Sequence, residues 1–449
     1  MVMPEKNTLA CPALLLTAPA SGQGKTTVTA ALARLYKRRG KRVQVFKTGP
    51  DYLDPQILEQ ACGRPVEQLD LWMAGEAYCR RRLYEAAQDA DLILIEGAMG
   101  MFDGEPSSAD LAARFGIPVV LVMNVKGMAQ TTAAVAAGLA HFRKDIAVAG
   151  IIANACGSAH HTRLIEDALA PELPLLAALP REAAVALPER HLGLVQAAEI
   201  GAELDVLIDN AADRIAASEC RSDYLLGLPA PVKFASVAES PARQCGIEES
   251  LRGVRIGIAR DDAFSFIYAA NLQLLTSMGA QYQFFSPLRD RALPPVDALW
   301  LPGGYPELHA AVLAQNLSLR DEIVRFYREG KPILAECGGF LYCLDSLGDL
   351  QGREFALLGL LPGRGAMRGK RGCQGMQTAP LPEGEVRGHS HHRSRAQVAV
   401  EPLAFARRQR HAAAGEAIYR RRGLTAGYLH LFFPSNPGAI AALFSGRGG

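Results

Sequence analysis

The sequence predicts an α/β protein: a P-loop doubly wound parallel sheet domain followed by a second α/β domain. Short, uninterrupted apolar runs alternate with helical segments from Leu14 to about Ala178. The first run opens into a glycine-rich loop and then a helix. The alternation lapses between Ala216 and Ser250 and resumes at Val254. Strands buried on both faces of a parallel sheet read as such continuous runs, and helices between them supply the crossovers.

The first run, Leu14–Leu16, leads into Thr17-Ala-Pro-Ala-Ser-Gly-Gln-Gly-Lys-Thr-Thr27. Strand, Gly-rich loop and helix in this order form a phosphate cradle. Gly22 and Gly24 let backbone N–H groups face the anion, and the start of the helix presents its positive end. Lys25 reaches the outer phosphates, and the hydroxyl of Thr26, followed by Thr27, is placed for Mg²⁺. Pro19 stands where the strict pattern has its first glycine.

The further strands of this half are Val43–Phe46, Leu92–Ile95, Val119–Met123 and Val148–Ile152. Helical segments separate them at Thr27–Arg39, Glu76–Ala87, Ser107–Arg114, Thr131–Phe142 and Ala159–Leu169. Ligands of such sheets gather at the carboxyl ends of strands. Asp51 and Asp54 follow the second strand, and Glu96 follows the third directly, where P-loop enzymes place a metal carboxylate. Thr26, Asp51 and Glu96 make an oxygen-only Mg²⁺ set, with phosphates and waters completing the octahedron. Asn154, after the fifth strand, offers an amide to adenine or simply forms a turn. Arg190 and His191, beyond the core alternation, meet an anionic substrate or cap a helix.

Pro229, Pro231 and Pro241 mark a linker at 226–250. The second alternation runs through Val254–Ala259, a helix through Phe264–Met278, Tyr282–Phe285, Asp297–Leu301, a helix through Asp321–Arg328, and Pro332–Glu336. Cys337 ends that last strand and is followed by two glycines and a helical run, Phe340–Leu347. This is the pattern of a nucleophile elbow, in which a sharp turn exposes the side chain. The start of the helix is expected to favour the thiolate. Amides of Gly304, in Pro302-Gly-Gly304, and of Gly338 are placed for an oxyanion hole. His430, on the strand-like run Ala426–Phe433, supplies a base for acyl transfer. The cluster His389, His391 and His392 has no cysteine or carboxylate at ligand spacing, and its role stays open.

Composition bounds the partners. In 449 residues the apolar content is 49% and the net charge +2, which gives no reason to expect nucleic acid. No apolar run reaches the roughly 18 residues of a membrane span. Nine cysteines without framework spacing suit the cytoplasm.

Taken together, Pro19–Thr27, Lys47–Pro55, Glu96–Gly104, Leu187–Leu194, Ser286–Leu293, Leu301–Leu308 and Ala335–Gly339 closely resemble the cobyrinate or hydrogenobyrinate a,c-diamide synthases of cobalamin biosynthesis, over nearly the whole chain. The resemblance implies an ATP-binding, dethiobiotin-synthetase-like P-loop domain at 1–225. It also implies a flavodoxin-like class I glutamine amidotransferase α/β domain at 251–449. The implied enzyme is a glutamine-hydrolysing carbon–nitrogen ligase that amidates the a and c acetate side chains of a corrinoid with ATP and Mg²⁺. Its partners are the small molecules corrinoid, glutamine and ATP, with a homodimer left open. By the same resemblance Cys337 is the glutaminase nucleophile and His430 activates it. Tyr52, Leu53, Asp54 and Asp103, with Asp51 and Glu96, belong to segments lining the ATP, metal and corrin site. Phe432 replaces the glutamate that class I amidotransferases place two residues after the histidine, as in the rest of this branch. Asn124 stands where the family more often has aspartate, and Gly388-His-Ser-His-His-Arg-Ser394 replaces a usual Gly-His-Glu-Phe-His-Tyr-Ser. Cobyrate synthase, nickel-sirohydrochlorin a,c-diamide synthase and a P-loop switch ATPase are the alternatives.

Overall fold

A computed structural model describes residues 7–182, 201–218, 220, 225, 227–236, 247–368 and 374–446. The chain divides into two compact units, residues 1–238 and 239–449.

The first unit is built on strands β1 (Thr8–Thr17), β2 (Val43–Lys47), β3 (Glu67–Gln68), β4 (Leu92–Glu96), β5 (Val119–Asn124), β6 (Val148–Cys156), β7 (Leu175–Pro180) and β8 (Pro231–Ala235). Its helices are α1 (Lys25–Arg38), α2 (Asp54–Cys62), α3 (Glu76–Asp89), α4 (Ser108–Phe115), α5 (Thr131–His141), α6 (Ala159–Glu166) and α7 (Gly201–Ala216). The strand order is β3-β2-β4-β1-β5-β6-β7 and every neighbouring pair in it is parallel. Alternate residues of each strand serve opposite faces. Leu14, Leu16, Val45, Leu94 and Val122 join Val28, Leu32 and Leu35 of α1 and Leu204 and Ile208 of α7 in one core. Leu15, Ile93, Ile95 and Leu121 point the other way and are also fully buried, on the side where α3 and α4 meet β1. Each such side chain contributes about 1.5–3 kcal/mol by leaving water. The order reverses at β1, with β4 on one side and β5 on the other, so the loop after β1 opens at the switch point where ligands collect.

Part of the stretch read as linker is a strand. β8 pairs antiparallel with the start of β1, from Thr8↔Ala235 to Pro12↔Pro231. A proline is tolerated at a strand start on a sheet edge, which is why the Pro229–Pro231 signal misleads.

The second unit contains β9 (Arg255–Ala259), β10 (Gln281–Phe285), β11 (Ala298–Leu301), β12 (Ile333–Glu336), β13 (Leu344–Gly348), β14 (Glu354–Ala356), β15 (Leu361–Met367), β16 (Gln374–Leu381), β17 (Gly384–His391), β18 (Ser394–Val398), β19 (Ala404–Arg408), β20 (Ala414–Arg421), β21 (Leu424–Gly427) and β22 (His430–Leu431). Five parallel strands in the order β10-β9-β11-β12-β21 reproduce the flavodoxin-like order 2-1-3-4-5. The same sheet continues antiparallel through β20, β19, β16, β17 and β22. A separate sheet holds β14-β13-β15-β18. The expected helical run Phe340–Leu347 is therefore split: a helix at Gly338–Tyr342 gives way to β13, whose Leu344 and Leu347 are fully buried. Among the described residues no helix is long and apolar enough to cross a membrane.

Candidate functional site

In the first unit the loop after β1 takes its shape from two glycines. Gly22 and Gly24 have φ of 75° and 89°, a region L side chains rarely adopt. A Cβ on Gly24 would lie 2.1 Å from Nδ2 of Asn154. That amide donates to the Gln23 carbonyl at 3.0 Å, and Gln23 Oε1 accepts from the Asn124 amide at 2.8 Å. Asn154 and Asn124, at the ends of β6 and β5, thus brace the loop from outside. Helix α1 starts at Lys25, whose Nζ donates to the carbonyls of Met99 at 2.6 Å and Ala20 at 3.2 Å. Burial, and then the nearby Lys47, pull this ammonium down to about 8. An anion bound in the loop would stabilise it.

Thr26 Oγ1 donates to Glu96 Oε1 at 2.9 Å. Glu96 meets Leu16 in register across β1 and β4, and meets Lys47 across β2 and β4, which places the carboxylate beside the loop. Its Oε2 is buried and has no hydrogen-bond partner among the described residues. Such an atom is costly to leave unpaired, and a hydroxyl beside a half-satisfied carboxylate fits a hard divalent cation whose remaining ligands are phosphates and waters. Three His, Cys, Asp or Glu side chains grouped as a metal cage do not occur among the described residues. Asp51 accepts the amides of Leu53 and Asp54 on Oδ1, at 3.0 and 3.1 Å, and so shapes the turn into α2. Asp54 pairs with Lys47 Nζ at 3.0 Å. Tyr52 and Leu53 are partly exposed between them. Asp103 Oδ2 accepts the Gly100 amide at 3.1 Å, in a loop whose Gly97 and Met101 amides bond the carbonyls of Leu16 and Ala18.

In the second unit Cys337 sits at φ 47°, ψ −101° between β12 and the short helix, the strained turn expected of an elbow. Its surroundings admit only glycine: a Cβ on Gly339 would meet the Leu301 carbonyl at 1.9 Å, and one on Gly338 would lie 2.9 Å from the Gly304 nitrogen. Gly304 and Gly338, the two expected oxyanion donors, are therefore neighbours. A Cβ on Gly303 would lie 2.1 Å from Cε1 of His430, so the imidazole packs on the same turn. The protonation balance differs from the expectation. Burial, and then Glu307, push the Cys337 thiol up; the Gly338 amide opposes them. A helix of one turn, Gly338–Tyr342, carries too small a dipole to reverse that. Burial also holds the His430 imidazole well below its usual value, helped by His389, His392 and His391. Thiol and neutral imidazole are the resting forms.

His389 is the register partner of His430 across β17 and β22. His392 stacks on Tyr428 with centroids 3.6 Å apart, and its Nε2 lies 2.9 Å from Glu416 Oε1. Phe340, His392, Ser394, Arg395, Glu416 and Tyr428 line a cavity of about 380 Å³; of these Phe340 closely follows Cys337 in the chain and Tyr428 closely precedes His430.

Residues 14–195 match the CobQ/CobB/MinD/ParA nucleotide binding domain, and residues 255–438 the CobB/CobQ-like glutamine amidotransferase domain. Over 97% of its length the chain is 54% identical to the hydrogenobyrinate a,c-diamide synthase of Pseudomonas aeruginosa, covering 98% of that protein. The chain belongs to the cobyrinate and hydrogenobyrinate a,c-diamide synthase family. It is also 52% identical over 96% of its length to the hydrogenobyrinate a,c-diamide synthase of Stutzerimonas stutzeri, covering 98% of it. The cobyrinate a,c-diamide synthase of Herminiimonas arsenicoxydans is 47% identical over 96% of each chain.

As a member of this family the chain is an amidotransferase ligase with a nucleotide-binding domain. Arg190 and His191 lie outside the described residues. Two residues without a role in the sequence reading stand out. Lys47 bridges Glu96 and Asp54, and Glu336 is buried immediately before the nucleophile. The signal for each is a charged residue ending an otherwise apolar strand.

Proposed function

We propose that the chain amidates the a and c acetate side chains of cobyrinate or hydrogenobyrinate, using ATP and the amide nitrogen of glutamine. The observation that carries this is the pairing, in one chain, of a Thr26–Glu96 metal position beside a P-loop with a Cys337 elbow against His430. The relatives' names supply the acceptor.

A carboxylate does not react with ammonia at neutral pH, because its leaving group is oxide. In the first unit a substrate carboxylate oxygen attacks the γ-phosphorus of ATP, the bond to the β-phosphate oxygen breaks, and ADP leaves with the electron pair. Gly22, Gly24 and Thr27 line the phosphate cradle, Asn154 holds the loop beside adenine, and Lys25 follows the charge moving to the leaving oxygen. Mg²⁺, held by Thr26, Glu96 and Asp51, would neutralise phosphate charge. Tyr52, Leu53, Asp54, Asp103, Arg190 and His191 are assigned to the corrinoid side.

In the second unit glutamine occupies the cavity beside Tyr428. His430 takes the Cys337 proton as sulfur attacks the carboxamide carbon. The amides of Gly304 and Gly338 receive the oxyanion, and His430 returns the proton to the departing ammonia. Water then releases glutamate from the thioester. Ammonia attacks the acyl phosphate, and phosphate leaves. We place the enzyme in the cytoplasm, in keeping with the free thiols of all seven described cysteines.

Mass spectrometry of products from hydrogenobyrinic and cobyrinic acid, with ATP and either glutamine or an ammonium salt, tests this reading. The expected product is a diamide from at least one acceptor. Cys337→Ser loses only the glutamine-dependent product. Loss of both nitrogen sources in that variant would overturn the division of labour, and amidation of other tetrapyrrole carboxylates would reassign the acceptor.

A further inference from the structure

Cys337 and His430 come from different strands of one sheet, and a single side chain spans their backbone neighbours. Glu336, 2% exposed, immediately precedes Cys337. Its Oε1 accepts the amide of Leu431, the residue after His430, at 2.8 Å. Its Oε2 accepts Nε1 of Trp300 on β11 at 2.9 Å. The strand carrying His430 is only two residues long. It ends the sheet order, where β17 holds it through Gly388↔Leu431 and His389↔His430, and Asn271 Nδ2 donates to the Leu431 carbonyl at 2.9 Å.

The groups that shift the His430 imidazole are burial and three histidines, none of them a carboxylate. The ring packs on Gly303, where a Cβ would lie 2.1 Å from its Cε1, so the placement of the backbone that carries it bears on its position. We propose that Glu336 is a positioning residue of the glutaminase dyad, fixing His430 against Cys337 by clamping the Leu431 amide from the residue next to the nucleophile. This rests on the reading of Cys337 and His430 as that dyad. Loosening the Glu336–Leu431 bond frees a two-residue strand. Burial pushes the Glu336 carboxyl up to about 8, opposed by the bonds from Leu431 and Trp300.

Glutaminase kinetics, ammonium-dependent amidation and thermal melting of E336A, E336Q, W300F and C337S test the proposal on the full chain. Misplacement by ~1 Å costs on the order of 10²-fold. E336A is expected to lose about that factor in glutaminase kcat, with KM for glutamine within ~3-fold and ammonium-dependent amidation within ~2-fold. E336Q keeps one acceptor and should recover roughly tenfold of the loss. W300F removes the bond that does not reach the histidine strand and keeps an aromatic ring against Phe433, and its kcat should stay within ~3-fold whatever its melting temperature. A normal kcat in E336A, or equal losses in W300F and E336A, would overturn the proposal. If E336A does not fold, the comparison of E336Q with W300F decides: a lower kcat in E336Q supports the clamp and equal values overturn it. Persistent glutaminase activity in C337S would instead overturn the dyad on which it rests.

Discussion

Lys47 Nζ lies 2.6 Å from Glu96 Oε1, and the same ammonium reaches Asp54 Oδ2 at 3.0 Å. Both ends of the first pair are almost fully buried. Lys47 therefore supplies positive charge beside the carboxylate assigned to the metal. Removing one partner of a buried pair leaves an uncompensated charge, which costs about 3–5 kcal/mol. Lys47→Met should lower the melting temperature of the protein, and Mg²⁺ should raise that of the variant more than that of the parent. Equal Mg²⁺ effects, read by differential scanning fluorimetry, would count against a shared electrostatic position.

Glu96→Gln keeps shape and volume but removes the charge that the unpaired Oε2 carries. The variant should bind ATP in the presence of EDTA about as well as the parent, while the Mg²⁺-dependent gain in affinity disappears. Amidation from glutamine and from ammonium should fall together, by on the order of 10²-fold or more. Calorimetric titration with and without Mg²⁺ separates the two effects, and a retained Mg²⁺ increment would move the metal elsewhere.

Both of those residues show where the sequence was legible. The P-loop stood out because strand, glycines, Lys25 and helix are contiguous, and Glu96 because it closes an apolar run. Lys47 and Glu336 close such runs too, but their meaning lies in lateral neighbours, Glu96 on β4 and Leu431 on β22. Strand register sets those contacts, and the linear pattern does not carry it. Helix α2 and strand β7 carry no clear signal in the linear pattern, the first because it begins at Asp54-Pro55 inside a motif whose carboxylates dominate it. The strand-like run Ala426–Phe433 breaks at Tyr428–Leu429 into β21 and β22, since it leaves one neighbour, β12, and joins another, β17.

The pH dependence of glutamine hydrolysis follows from the resting forms. His430 is held below the usual imidazole value of 6.5 by burial, so between its own pKa and 6.5 the unfolded histidine binds a proton and the folded one does not. The folded base stays competent there. The acid limb of kcat/KM for glutaminase, which reports the free enzyme, should thus fall below pH 6.5 rather than near it. The raised thiol at Cys337 keeps the opposite limb on the alkaline side of neutrality. By linkage the same shift makes this histidine's contribution to stability diminish as pH falls below 6.5. A glutaminase profile measured from pH 5 to 9 whose acid limb lies at 7 would show that another group, or a protonated His430, controls the step.

Gly339 offers the sharpest separation of the two units. A Cβ there would stand 1.9 Å from the Leu301 carbonyl oxygen, which is backbone and cannot rotate away. The Gly339 amide also donates to the Pro302 carbonyl at 3.0 Å, so the elbow and the Pro302–Gly304 turn are seated on each other. Gly339→Ala must push them apart, at the upper end of the about 1–3 kcal/mol typical of overpacking, and with them the Gly304–Gly338 amide pair. Glutaminase activity should fall on the order of 10²-fold, as when an oxyanion donor is lost. Ammonium-dependent amidation relies on the first unit, whose core packs around β1 without any residue of this turn, and it should survive. Gly330→Ala is the control: its φ of 74° strains any side chain, which the helical Gly339 does not share, but a Cβ there meets nothing within 4 Å, so its backbone strain lowers stability without touching the elbow. Equal glutaminase losses in the two variants would show that general destabilisation, not the displaced amide pair, limits the reaction.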